Sequence, residues 1–131
     1  MENKLKSNLV FPDLSYKIIG AAFKVFNTLG WGLSEKHYQK ALAKELENVG
    51  LRFEREVYFP LSYSGSKIGS YFADFVVEKS VIIELKIVSK LGYANVNQVL
   101  SYLKSSGVKL GILIYFTKDG IKYRRVLNSN V

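Results

Sequence analysis

Apolar and polar positions recur with two different periods along this chain, and the change of period divides it. Leu14, Ile18, Ala22, Phe26 and Leu29 follow one another at near-helical spacing. Asp13 or Ser15 is placed to cap the start of that helix, and Gly30 to stop it. After a break at Trp31-Gly32, the stripe Tyr38, Ala41, Leu42, Leu46 and Val49 predicts a second helix from about Ser34 to Val49, ended by Gly50. The pattern then turns to strands. Leu51–Tyr63 is rich in aromatic and β-branched residues, Ser64-Gly65-Ser66 is a turn signal, and Ile68–Val77 reads as the returning strand. Glu78-Lys79-Ser80 is the next turn, and Val81–Val88 a strongly apolar third strand. Gly92 breaks the chain, and Asn95 to Ser105 reads as a helix stopped by Gly107. Lys109–Phe116 reads as a buried strand, Thr117–Gly120 as a turn and Ile121–Leu127 as a last strand. The order α-α-β-β-β-α-β-β predicts an α/β fold, a mixed sheet with helices packed on it.

Composition narrows the function classes. The 131 residues fit one domain, 1–131, with 1–12 expected as an N-terminal arm. A hydrophobic share of 48% excludes a mainly disordered chain. The absence of cysteine excludes a disulfide scaffold, a thiolate zinc site and a cysteine nucleophile. His37 is the only histidine, so a multi-histidine metal centre is excluded as well, and its spacing from Glu35 makes it a surface residue. No apolar run reaches the ~18–20 residues that span a bilayer, and Met1–Lys6 lacks the apolar stretch of a signal peptide. A cytoplasmic protein with no membrane association is therefore expected. The net charge of +8 suits a polyanionic partner, most simply nucleic acid.

The chemistry concentrates on Asp74, Glu84 and Lys86. Glu84 and Lys86 are two apart on one strand and share a face, while Ile83, Leu85 and Ile87 take the other. A three-residue turn at Glu78-Lys79-Ser80 pairs Val77 with Val81, and counting outwards sets Asp74 opposite Glu84. A two- or four-residue turn would put Asp74 on the wrong face. Directly opposed Cβ atoms lie ~4.5–5.5 Å apart, and two carboxylates so placed repel. A divalent cation offsets that repulsion, and oxygen-only ligands suit Mg²⁺ or Mn²⁺. The lysine beside them can stabilise charge on a phosphate or help orient an attacking water. The plainer reading is an edge strand whose charged residues solvate one face.

With these residues laid out, the chain resembles the PD-(D/E)XK nuclease superfamily. More narrowly it resembles the small bacterial GxxExxY family, through Gly32-Leu33-Ser34-Glu35-Lys36-His37-Tyr38. The resemblance continues along Gly69–Glu78, Val81–Lys86, Gln98–Leu103 and Gly111–Phe116, covering about Leu14 to Leu127. It implies a restriction-endonuclease-like core, α-β-β-β-α-β, with a mixed central sheet flanked by helices, one extra helix before the core and one strand after. Asp74, Glu84 and Lys86 match the residues of the superfamily's name, with Ala73 where a proline often stands. By the same resemblance Glu35 is a further metal-site carboxylate, and Gln98 and Tyr102 match the Gln-x-x-x-Tyr motif of RecB-like nucleases, lining the site. Tyr38 is read as a core residue.

These observations lead to an expected metal-dependent nuclease hydrolysing phosphodiester bonds in DNA. Glu35, Asp74 and Glu84 would hold Mg²⁺ or Mn²⁺, and Lys86, Gln98 and Tyr102 would complete the site. The alternative is a non-catalytic nucleic-acid-binding or assembly module that keeps the nuclease fold. At this size a homodimer or a protein partner would help to build a binding groove. Lys90, Lys104, Lys109, Lys118, Lys122, Arg124 and Arg125 are available for phosphates, but which of them share a face depends on the fold.

Overall fold

The structure is a computed structural model that describes residues 11–88 and 94–128. Residues 1–10 of the arm expected at 1–12, the break at Gly92 and Lys90 lie outside the described residues. The elements are α1 Pro12–Leu29, α2 Glu35–Asn48, β1 Phe53–Tyr63, β2 Ser66–Val77, β3 Val81–Ile87, α3 Ala94–Ser106, β4 Leu110–Thr117 and β5 Gly120–Leu127. Their order is the expected one. They build one five-stranded sheet with strands in the order β1-β2-β3-β4-β5. Only β3 and β4 run parallel. That follows from chain connection: tight turns join the antiparallel neighbours, whereas α3 carries the chain back between β3 and β4.

The start of α1 differs from expectation. Neither Asp13 nor Ser15 caps it. Phe11 occupies the N-cap position in a left-handed conformation with no side-chain cap, and Pro12 opens the helix. Proline there forgoes only an N–H that would have no helical partner. Ser15 lies inside the first turn, buried, and its Oγ has no hydrogen-bond partner among the described residues. The second helix begins as expected, with the Ser34 side chain accepting from the His37 N–H.

Two apolar layers cover the sheet. On one face Ile18, Ala22 and Val25 of α1 and Tyr38, Leu42 and Leu46 of α2 pack on Phe75, Val77, Ile83, Leu85, Ile112 and Ile114. On the other, Val99 and Leu103 of α3 pack with Tyr71, Ala73, Ile82, Leu113, Tyr115 and Val126. The strand β4, buried throughout, serves both layers, which is why it reads as a continuous apolar run. Its Gly111 admits α3: a Cβ there would lie 2.7 Å from Val99 Cγ1 and 3.5 Å from Leu103 Cδ1. Val99 is β-branched and cannot swing aside cheaply. Gly111→Val is therefore expected to cost about 1–3 kcal/mol by overpacking, read as a lowered urea midpoint, and to displace the helix that carries Gln98 and Tyr102.

The hairpin β1–β2 turns over along its length. Phe53, Phe75 and Val77 join the core under α1 and α2, whereas Val57, Phe59, Leu61, Tyr71 and Ala73 join the core under α3. The change of face falls at Asp74 and at Glu56 across from it, whose φ is 51°. At the tip, Ser64 and Gly65 both have positive φ, the two-residue turn that suits strand twist. Among the described residues no helix is long and apolar enough to cross a membrane.

Candidate active site

The site forms where β2 and β3 part. The turn at Glu78–Ser80 has the expected three residues, and Val77 pairs with Val81, Val76 with Ile82 and Phe75 with Ile83. The ladder stops there. Asp74 does not extend it with a backbone pair; its Oδ2 accepts from the Leu85 N–H at 2.8 Å, so a carboxylate supplies the next rung. Simple alternation, on which the opposition of Asp74 and Glu84 was expected, thus fails at Asp74, because the strand turns over at this residue. The two carboxyls meet nonetheless. Glu84 is pushed up to about 8 by burial first, then by the charge of Asp74 and a side-chain hydrogen bond with it, with Lys86 pulling the other way. Only 5% of Glu84 is exposed, and its Oε1 has no hydrogen-bond partner among the described residues.

Glu35 reaches the same region from the start of α2. Its carboxyl is raised by partial burial, then by Asp74, and lowered by Lys86. The loop before it is held by Tyr38, fully buried between Phe26 and Phe116. The Tyr38 hydroxyl donates to the Gly30 carbonyl and accepts from the Leu33 N–H. Tyr38 is thus a core residue, as expected, and one that fixes where Glu35 stands.

From α3, Tyr102 comes within the field of Glu84 and Asp74, and Gln98 hydrogen-bonds to it. Burial raises the Tyr102 phenol, then Glu84 and Asp74 add to it, while a hydrogen bond from Gln98 opposes them. Sequence reasoning missed Tyr71. Its ring stacks on Tyr102 with centroids 3.6 Å apart and planes 8° from parallel, and its hydroxyl donates to the Tyr102 carbonyl at 2.9 Å. Burial pushes the Tyr71 phenol up to about 12, with Glu84 among the lesser causes. Of the downstream basic residues, the pairing register sets Arg124 in line with Leu113 and Glu84, and Lys122 in line with Tyr115 and Lys86. Arg125 pairs with Ile112 and takes the opposite face.

A model of the PD-(D/E)XK nuclease superfamily matches residues 12–126. The chain belongs to the PD-(D/E)XK nuclease superfamily. The crystal structure of SSO0001 superposes with a TM-score of 0.55 at 24% identity, over 71% of this chain; the chain spans 49% of that one, about half its length. The crystal structure of an alkaline exonuclease, LHK-Exo, from Laribacter hongkongensis gives 0.50 at 11% identity, over 83% of this chain and 77% of that one. At such identities the likeness shows a shared fold. No curated protein matches the chain.

PD-(D/E)XK nucleases use divalent metals, and the donor set here is chemically suited to one. Among the described residues the buried Glu84 Oε1 lacks a hydrogen-bond partner, Asp74 presses against the same carboxyl, and both offer hard oxygens. Among the described residues, however, no three His, Cys, Asp or Glu side chains converge closely enough to form a ready-made metal cage. Two carboxylates with water completing the shell is the arrangement Mg²⁺ favours.

Proposed function

We propose that this superfamily member is a metal-dependent nuclease of the GxxExxY type, cleaving phosphodiester bonds in DNA within the cytoplasm. The observation that carries the reading is the buried carboxylate oxygen of Glu84, held against Asp74 and without a hydrogen-bond partner among the described residues, with Lys86 two residues on along β3. Asp74 and Glu84 would hold Mg²⁺ or Mn²⁺, with Glu35 as the third carboxylate. When bound, such an ion polarises the phosphate and lowers the pKa of its water. The Leu85 N–H anchors Asp74 Oδ2, which fixes that carboxylate against β3. Lys86 places an ammonium where it offsets negative charge at the scissile phosphate. Gln98 and the Tyr71–Tyr102 stack form the wall on the α3 side. That an alkaline exonuclease shares this fold supports the nuclease reading.

The lack of a converged three-residue cage among the described residues favours a second reading, a non-catalytic nucleic-acid-binding module. One pair of measurements separates them. Isothermal titration with Mn²⁺ is expected to saturate, and Mg²⁺ is expected to release fragments from labelled DNA until EDTA is added. DNA binding without metal uptake or cleavage would establish the module instead.

A further inference from the structure

The hairpin extends well past the rest of the sheet. The strand β3 pairs with only Phe75–Val77 of β2, so the stretch from Val57 to Ala73 projects as a two-stranded ribbon. One face of this ribbon is used: Val57, Phe59, Leu61, Tyr71 and Ala73 pack under α3. Among the described residues nothing covers the opposite face. It carries Phe72, 60% exposed, and Tyr58, 46% exposed, which are direct cross-strand partners with ring centroids 5.5 Å apart. Lys67 reaches back along the ribbon to set its ammonium 5.3 Å from the Tyr58 ring. Soluble proteins rarely leave paired aromatic rings in water without a use for them.

We propose that this face of the ribbon is a stacking platform for unpaired bases of the DNA substrate, next to the cleavage site. Three observations choose that occupant. First, between Val57 and Ala73 there is no acidic residue; Lys67 is the only charged one, and four serines accompany it, in a chain of net charge +8. A polyanion meets no repulsion there and finds a cation and hydroxyls. Second, paired aromatic rings beside a cation are what single-stranded nucleic acid uses: base faces stack irrespective of sequence while the backbone meets positive charge. Third, Phe72 stands two residues before Asp74 on β2. Two residues of strand rise span ~7 Å, about two base steps of a stacked strand. A base on Phe72 thus sets its own strand's backbone near the carboxylates, whereas in an intact duplex the base faces are already stacked on one another. The substrate class that follows is DNA with an unpaired stretch beside the scissile bond, such as a single strand, a frayed end or a flap.

The proposal rests on the nuclease reading, yet its test does not need cleavage. Fluorescence anisotropy in EDTA would compare a labelled oligothymidylate with a labelled duplex. Phe72→Ala and Tyr58→Ala are each expected to weaken single-strand binding about tenfold, with little change for the duplex. Phe72→Tyr keeps a ring and is expected to keep the affinity. Thermal melts check that the alanine variants remain folded, as the exposure of both rings predicts. Equal loss for single strand and duplex, or no loss for either, would overturn the platform. So would sedimentation showing a dimer that these alanine variants dissociate, since the face would then bind a second copy of the chain. If wild-type protein cleaves DNA and the variants bind undiminished, the platform falls and the nuclease stands. If the variants lose single-strand binding and no preparation cleaves, the nuclease falls and the platform stands.

Discussion

Asp74→Asn and Glu84→Gln are each expected to lower Mg²⁺-dependent cleavage by about a thousandfold or more, with the fold intact. Each change removes one of two negative charges that would hold the ion and alters little else. Asparagine keeps an oxygen to accept from the Leu85 N–H, so the rung that replaces the ladder beyond Phe75 survives. Glutamine at position 84 fits the same buried space and removes a charge that burial and Asp74 both disfavour. Neither substitution should lower the melting temperature appreciably. Lys86→Gln, which leaves both carboxylates, is expected to cost less, about a hundredfold. The measurement is fragment release under single-turnover conditions, from preparations freed of contaminating nuclease. Activity equal to wild type in either carboxylate variant would sink the metal site.

Much of this site was legible because the information is local. Glu78-Lys79-Ser80 can be counted as a three-residue turn, and the count gives the observed register as far as Phe75 and Ile83, one residue short of Asp74 and Glu84. Glu84 and Lys86 stand between Ile83, Leu85 and Ile87, so the alternation of a strand is plain. Ser34 directly before Glu35 marks where α2 begins, and the structure has its side chain accepting there. What the sequence hid is non-local. Nothing in Tyr71-Phe72-Ala73-Asp74 announces that the strand turns over at Asp74, because that twist is shared with Glu56 on another strand. The Tyr71–Tyr102 stack depends on how α3 docks, and that docking depends on the missing side chain at Gly111. Pro12 as a helix start was obscured by two good capping residues just after it, which local preference alone ranks higher. The faces of Arg124 and Arg125 follow only once β5 is registered against β4.

Metal-free protein is expected to lose stability as pH rises from about 4.5 towards 8, and Glu84→Gln to abolish most of that loss. The sign follows from the direction of the shift. Folding raises Glu84 from its ordinary value of 4.5 to about 8, so between these values the folded chain binds a proton that the unfolded chain has released. The contribution is fully present below 4.5 and is lost as pH passes through the folded value. Burial is the largest cause, and a glutamine does not ionise, so at pH 9 in EDTA the variant should exceed wild type by on the order of a few kcal/mol. At pH 4 the two should agree. Urea melts at both pH values decide it, and parallel profiles for the two proteins would refute the assignment. The same proton must leave before a cation can take the oxygen pair. Mn²⁺ affinity should therefore climb by up to about tenfold per pH unit below 8 and level off above, with proton release visible as a dependence of the titration heat on buffer ionisation enthalpy. The more firmly burial holds that proton, the more sharply alkaline conditions should favour the metal-bound form, which ties the site's pH range to the same partnerless oxygen that makes it a metal site.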